Sequence, residues 1–256
     1  MDGQQKDPLE DAADSFSNKL TAIKEKSADF NWYPYHSMFN MPRLKQIVPP
    51  VVLDNLTKSK SWKVLDIGPA DGDIGFFLES LGCSVDFLDN PPTNFNDCHG
   101  IAKLAEELGS NSQIITQDID TSAFVLEGQY DFAVALGLLY HLRNPMGFLM
   151  TLAGHAERMV LSTRVATHLP DGTCIEGQSI GYLLACRESN NDPTNYWTMS
   201  ALGLETMLRR CGWSVQGKML AGSEISNPVD NNADQRMFVY CERSDNWSDL
   251  GKHHDF

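Results

Sequence analysis

From Trp62 onward the chain alternates short apolar runs with amphipathic stretches, and this alternation restricts the fold more than any other feature of its 256 residues. Strands bury every second side chain or a continuous apolar run, whereas helices repeat their apolar positions every three or four residues. A chain that keeps switching between the two builds βαβ units around a mostly parallel sheet. The predicted strands cover 63–67, 84–88, 113–116, 132–136, 159–162, 214–219 and 237–241. Helices are expected at 74–81, 101–108, 145–155 and 202–211, the last capped by Ser200 and stopped by Gly212. The expected architecture is a Rossmann-like α/β fold with a seven-stranded sheet. Its last two strands form an antiparallel hairpin across a short loop.

Residues 1–60 read as an N-terminal extension. It comprises a mostly polar surface helix over about 8–27, the aromatic segment Phe30-Asn-Trp-Tyr-Pro-Tyr-His36, and short helices near 41–47 and 51–56. The sheet domain is placed at 61–243, with a lid-like insertion at 167–198 and a polar tail at 244–256. The insertion is rich in Asn and Gly, and its mixture of amides and aromatics predicts an ordered loop rather than a disordered one.

Composition narrows the function classes. The net charge is −14, and residues 1–60 are balanced with eight basic and eight acidic side chains, so the entire excess lies beyond them. Such a field repels a polyanion unless a local basic patch overrides it, and no dense Lys/Arg run is present. Six scattered cysteines without a CxxC pair fit reduced thiols rather than a zinc ribbon. The polar, acidic start lacks the pattern of a signal peptide, and no apolar run approaches the ~20 residues of a membrane span. These features predict a cytoplasmic protein with no membrane partner. His99, His155, His168, His253 and His254 show no metal-ligand spacing, and no metal is expected.

The chemistry concentrates in Val64-Leu-Asp-Ile-Gly-Pro-Ala-Asp-Gly72, an apolar strand running into a turn of small residues and then a helix. Gly68 and Gly72 allow the backbone to approach a ligand closely, and the helix start offers free N–H groups. Asp89, twenty-one residues past Gly68, ends the next strand where a carboxylate can accept two ribose hydroxyls. Asn90 follows it, and Asp118 with Ile119 stands after the third strand, where an adenine could be read. A dinucleotide fingerprint begun at Gly68 needs glycines where Ala70 and Asp73 stand. The alternative pattern, an acidic residue followed by GxGxG, needs Asp66, Gly68, position 70 and Gly72, and only Ala70 departs from it.

These segments, with Tyr130-Asp-Phe-Ala-Val-Ala-Leu-Gly-Leu-Leu-Tyr-His-Leu-Arg-Asn-Pro145 and the closing Gly212-Trp213, resemble the class I S-adenosylmethionine-dependent methyltransferases over about residues 30–243. The branch most resembled contains the tRNA wobble-uridine carboxymethyltransferase, through Leu139-Tyr-His-Leu-Arg-Asn-Pro145. The resemblance implies S-adenosyl-L-methionine as cofactor, held by Asp66, Gly68, Ala70, Gly72, Asp89, Asn90, Asp118, Ile119 and Leu136. It offers carboxy-S-adenosyl-L-methionine as the alternative, whose extra carboxylate that branch grips with a lysine, a tyrosine and an arginine. Tyr140 matches the tyrosine and Arg236 the arginine, whereas no lysine stands between Asn31 and Met38.

Tyr140 and His141, after the fourth strand, fall where the reacting methyl group would emerge. His141 is the candidate base, with an orienting role as the alternative; Tyr140 lines the site or packs. Trp32, Tyr33 and Tyr35 read either as an aromatic cover over a ligand or as packing. Arg164 reads as an anchor for an anionic substrate or as a surface salt bridge. Asn195 and Tyr196 read as polar substrate contacts or as groups satisfying their own loop. The expected function is methyl transfer to a small-molecule acceptor. The alternatives are methylation or carboxymethylation of tRNA, and a cofactor-binding partner protein without turnover.

Overall fold

The computed structural model describes residues 7–58 and 62–245. The 60/61 boundary, the tail beyond Asp245, and His253 and His254 lie outside the described residues. The chain divides into two compact units after Gln117.

In the first unit, helix α1 (Pro8–Lys26) starts at Asp7, whose carboxylate accepts from the Leu9 amide at 2.8 Å, and it ends with Lys24 and Lys26 in its last turn. Caps of this kind satisfy orphan amides and oppose the helix dipole. The expectation of a polar surface helix needs correction. Phe16, Leu20 and Ile23 are buried on one face, and Phe16 packs against Phe77 with ring centroids 5.6 Å apart. Helices α2 (Met41–Ile47) and α3 (Pro50–Lys58) follow. Three parallel strands then alternate with helices: β1 (Lys63–Ile67), α4 (Asp73–Ser80), β2 (Ser84–Asp89), α5 (His99–Leu108) and β3 (Gln113–Thr116). β2 is the middle strand, pairing β1 from Lys63↔Ser84 to Ile67↔Leu88 and β3 from Asp86↔Gln113 to Asp89↔Thr116. Phe76, Phe77 and Phe87 are almost wholly buried, each contributing roughly 1.5–3 kcal/mol.

In the second unit β5 (Arg158–Val165) is central. It runs parallel to β4 (Phe132–Leu136) and antiparallel to β9 (Gln235–Arg243), with the cross-strand pair Arg164↔Arg236. α6 (Pro145–Ala153) is capped by the Asn144 side chain accepting from the Gly147 amide. α7 (Ala201–Arg210) is capped by Ser200 accepting from the Gly203 amide at 3.0 Å, as its sequence implied. β8 (Trp213–Gly222) pairs β9 antiparallel with an irregularity between Val215 and Gly217. The connection between them covers residues 223–234, longer than the short loop expected.

Two strands not expected from the sequence, β6 (Gly181–Leu183) and β7 (Trp197–Met199), pair with each other, and β7 meets β5 at Val165↔Met199. They raise the count from the expected seven to nine among the described residues. The class is as expected: Rossmann-like α/β with a mostly parallel sheet. No helix among the described residues is long and apolar enough to cross a membrane.

Candidate functional site

In the first unit the site is built around the turn leaving β1. Gly68, Ala70 and Gly72 all adopt left-handed backbone, with φ of 61°, 57° and 90°. For Ala70 that conformation costs roughly 1–2 kcal/mol, a strain that persists only where the surroundings hold it. At Gly72 a Cβ atom would also lie 2.8 Å from a Phe76 ring carbon and 3.1 Å from one of Phe87. Internal packing therefore requires glycine there whether or not a ligand approaches. Asp66, buried on β1, accepts from the Gly75 amide at 2.9 Å and so ties the strand to the first turn of α4. Burial pushes its carboxyl up to about 7, against the pull of that amide, and the negative charges of Asp89 and Asp73 add to the rise.

Asp89 ends β2. One of its oxygens accepts from the Asn90 amide at 2.7 Å, the other from Asn94 Nδ2 at 2.8 Å. Burial raises its pKa and these two donors restrain the rise. Asn94 is a node the sequence reading missed: its Nδ2 also lies 3.3 Å from the Ala70 carbonyl, and its Oδ1 accepts from the Asn96 and Cys98 amides. A carboxylate has about four acceptor positions, so Asp89 keeps capacity for two further donors.

A second missed feature lies beside the turn. The buried Lys24 ammonium sits 3.0 Å from both Asp71 Oδ2 and Asp73 Oδ1. Asp71 also accepts from Asn96 Nδ2 at 2.9 Å and from the Tyr33 amide at 3.0 Å, and Asp73 from the Ser37 amide. The clue in the sequence was a lysine adjoining the apolar stripe of α1 at Phe16, Leu20 and Ile23. The aromatic segment is held by this network. Trp32 packs on Phe30 and donates to the Ser27 carbonyl at 3.0 Å, while Tyr33 meets Phe95 and Tyr35 edge-on. Tyr35 itself is 71% exposed.

In the second unit, Asp118 accepts from the Asp120 amide, and Asp120 binds Arg143 Nε at 2.7 Å. Ile119 is buried, and Leu136 closes β4. Beyond Leu136 the chain turns through Gly137, at φ 73°, into a 3-10 helix, Leu139–His141. The Tyr140 and His141 rings lie 4.1 Å apart, and the Arg236 guanidinium sits 5.5 Å from the Tyr140 ring centre. The Tyr140 carbonyl accepts from the Tyr196 amide at 2.8 Å, joining this helix to the segment before β7. His141 Nδ1 lies 3.2 Å from the Thr194 carbonyl and 3.0 Å from Thr194 Oγ1. Burial holds the imidazole below the ordinary histidine range, so the neutral ring prevails at pH 7.

Arg164 is not the surface salt bridge that was one expectation. It is 4% exposed, hydrogen-bonded to Ser189 and to the Asp230 carbonyl, with Nε 3.0 Å from Asp234 Oδ1. The other Asp234 oxygen pairs with Arg236 at 3.1 Å, so two arginines share one carboxylate. Asn195 is buried and donates to the Ser189 carbonyl. Each unit thus gathers its own share of the expected residues. Asp66, Gly68, Ala70, Gly72, Asp89 and Asn90 cluster in the first, and Tyr140, His141, Arg164, Asn195, Tyr196 and Arg236 in the second.

No family model matches the chain, and no curated protein matches it. Solved structures do. The N-terminal domain of EvdMO1, crystallised in the presence of S-adenosylhomocysteine and D-fucose, is similar with a TM-score of 0.55 at 14% identity, over 88% of this chain and 97% of that one. The Burkholderia thailandensis 1,6-didemethyltoxoflavin-N1-methyltransferase, with 1,6-didemethyltoxoflavin and S-adenosylhomocysteine bound, gives 0.52 at 16% identity, over 96% and 94%. A SAM-dependent methyltransferase from Methanosarcina mazei gives 0.51 at 14% identity, over 77% and 99%. The chain has the fold of these enzymes.

Proposed function

We propose that this protein is an S-adenosylmethionine-dependent methyltransferase acting on a small-molecule acceptor in the cytoplasm. One observation carries the reading: on a fold shared with such enzymes, the strained turn Gly68–Gly72 stands in the same unit as a strand-end carboxylate, Asp89, that retains acceptor capacity. Asp89 would accept from the ribose hydroxyls, with Asn94 fixing its orientation and Asn90 beside it. Backbone amides of the turn would take the amino-acid end, with Asp66 holding the start of α4 in place. Asp118 and Ile119 would read the adenine, and Leu136 would line its edge.

The bound cofactor supplies an electrophilic methyl group on a sulfonium, whose thioether leaves without protonation. The protein's work is then alignment, worth up to ~7–11 kcal/mol when two reactants are held in attack geometry, and removal of the acceptor's proton. A neutral His141 can take that proton. Tyr140, Arg164, Asn195, Tyr196 and Arg236 would contact the acceptor, and Trp32, Tyr33 and Tyr35, in the first unit, would cover the cofactor. The Arg236–Tyr140 pair favours carboxy-S-adenosylmethionine as a second donor. The acidic surplus beyond residue 60 favours a small acceptor over tRNA.

Calorimetry with S-adenosylmethionine, its carboxylated form and NAD tests the cofactor; binding of NAD alone would overturn the reading. Asp89→Ala should weaken S-adenosylmethionine binding by about 1.5–3 kcal/mol through loss of charge-assisted hydrogen bonds. Unchanged affinity would remove the ribose assignment. Transfer of labelled methyl from S-adenosylmethionine into the small-molecule fraction of a cell extract, and not into its tRNA, tests the acceptor class.

A further inference from the structure

Burial keeps the His141 ring neutral, and the hydrogen bonds around it fix its tautomer; the functional meaning of that tautomer rests on the reading of His141 as base. Asp192 Oδ1 accepts two bonds from Thr194, one from its amide at 2.8 Å and one from its hydroxyl at 2.7 Å. The hydroxyl proton is therefore committed to Asp192, and Thr194 Oγ1 can only accept from His141 Nδ1, 3.0 Å away. The Thr194 carbonyl, 3.2 Å from the same nitrogen, can only accept as well. With two acceptors and no donor facing it, Nδ1 must carry the ring's hydrogen. A neutral imidazole has one such hydrogen, so Nε2 is left with its lone pair.

The segment bearing these acceptors is anchored at both ends of the contact, by the Asp192 turn and by the Tyr196 amide on the Tyr140 carbonyl. The charged and titratable groups bearing on His141 are Asp192, Arg236 and Tyr140; Asp192 favours the protonated ring and Arg236 disfavours it. We propose that Asp192 and Thr194 are positioning residues which hold His141 as its Nδ1–H tautomer, presenting Nε2 as the proton acceptor. Reversing the Thr194 hydroxyl would strip Asp192 Oδ1 of one of its two bonds, so the relay resists the other tautomer.

Nitrogen-15 NMR of the full chain labelled at histidine reads the tautomer without any ligand, and the His141 signals are assigned by their loss in His141→Gln. At a pH where the ring is neutral, Nδ1 should resonate as a protonated, pyrrole-like nitrogen and Nε2 as a bare, pyridine-like one. Asp192→Ala and Thr194→Val should bring the two resonances toward each other, and Thr194→Ser should restore the native pair. A native spectrum showing Nε2–H, or variants that leave both resonances in place, would overturn the relay. The base reading is tested separately, by labelled methyl transfer into the extract fraction with His141→Gln. Full turnover there alongside the expected spectra would sink the base and leave the tautomer assignment standing, whereas wrong spectra with lost turnover would sink the relay alone.

Discussion

The two units differ in how completely they pair their buried polar groups. In the first, the buried charges Lys24, Asp66, Asp71 and Asp73 are all hydrogen-bonded, and the strand-end carboxylate Asp89 holds two donors. In the second, four buried side-chain atoms lack a hydrogen-bond partner: Arg164 Nε, Asn195 Oδ1, Trp197 Nε1 and Thr198 Oγ1, the complete set among the described residues. Arg164 Nε is close to Asp234 but not aimed at it. Saturated networks rigidify, while unsatisfied buried groups carry a desolvation cost that a water or ligand can relieve. Under the function proposed here, the first unit is a finished cradle for an invariant cofactor. The second leaves buried polar atoms on Arg164, Asn195 and β7 without a hydrogen-bond partner.

The contrast predicts that the largest single-residue loss lies in the first unit. Lys24→Met leaves Asp71 and Asp73 buried without their cation and should cost about 3–5 kcal/mol in denaturant unfolding. Adding Asp71→Asn and Asp73→Asn should return part of it. A loss below about 1 kcal/mol would mean the network contributes no rigidity. Asp66 gives a pH-dependent counterpart. Its folded pKa of about 7 lies above the ordinary 3.8, so between those values the folded state binds more protons than the unfolded chain. Stability linked to that proton is present at low pH and lost as pH rises from about 4 toward 7. Asp66→Asn keeps an oxygen for the Gly75 amide and cannot ionise. Thermal unfolding at pH 8 should therefore move to higher temperature, with little change at pH 4. An identical pH profile in both proteins would show that Asp66 ionises freely.

Much of this arrangement was legible in the order of residues alone. The periodic segments predicted every strand of five residues or more, and the turn from Asp66 to Gly72 and Asp89 fell in one unit as their spacing implied. The misses have physical causes. β6 and β7 are three residues each, too short for a period to register, and β7 is defined by its partners rather than by propensity. Lys24 read as one more charge on a polar helix because its partners lie 47 and 49 residues away. Asn94 sits in a proline-containing turn, where asparagine is common for purely local reasons, so nothing local marked its reach to Asp89.

Two smaller substitutions probe the difference between the units at its edges. Ala70 is the one position at which the turn departs from glycine, yet it takes left-handed backbone. Ala70→Gly should relieve roughly 1–2 kcal/mol of strain and give back part of it as unfolded-state entropy, for a net gain of about 0.5–1 kcal/mol. A net loss would mean that the Ala70 methyl is itself packed. In the second unit Thr198→Val removes a buried hydroxyl with no partner and keeps the shape of the side chain. Replacing a satisfied hydroxyl costs about 1 kcal/mol, while removing an unsatisfied one is neutral or stabilising. The variant should therefore unfold within about 0.5 kcal/mol of the parent, or above it. A loss of more than about 1 kcal/mol would place a bound water on Oγ1 in solution, and the second unit would then be as saturated there as the first.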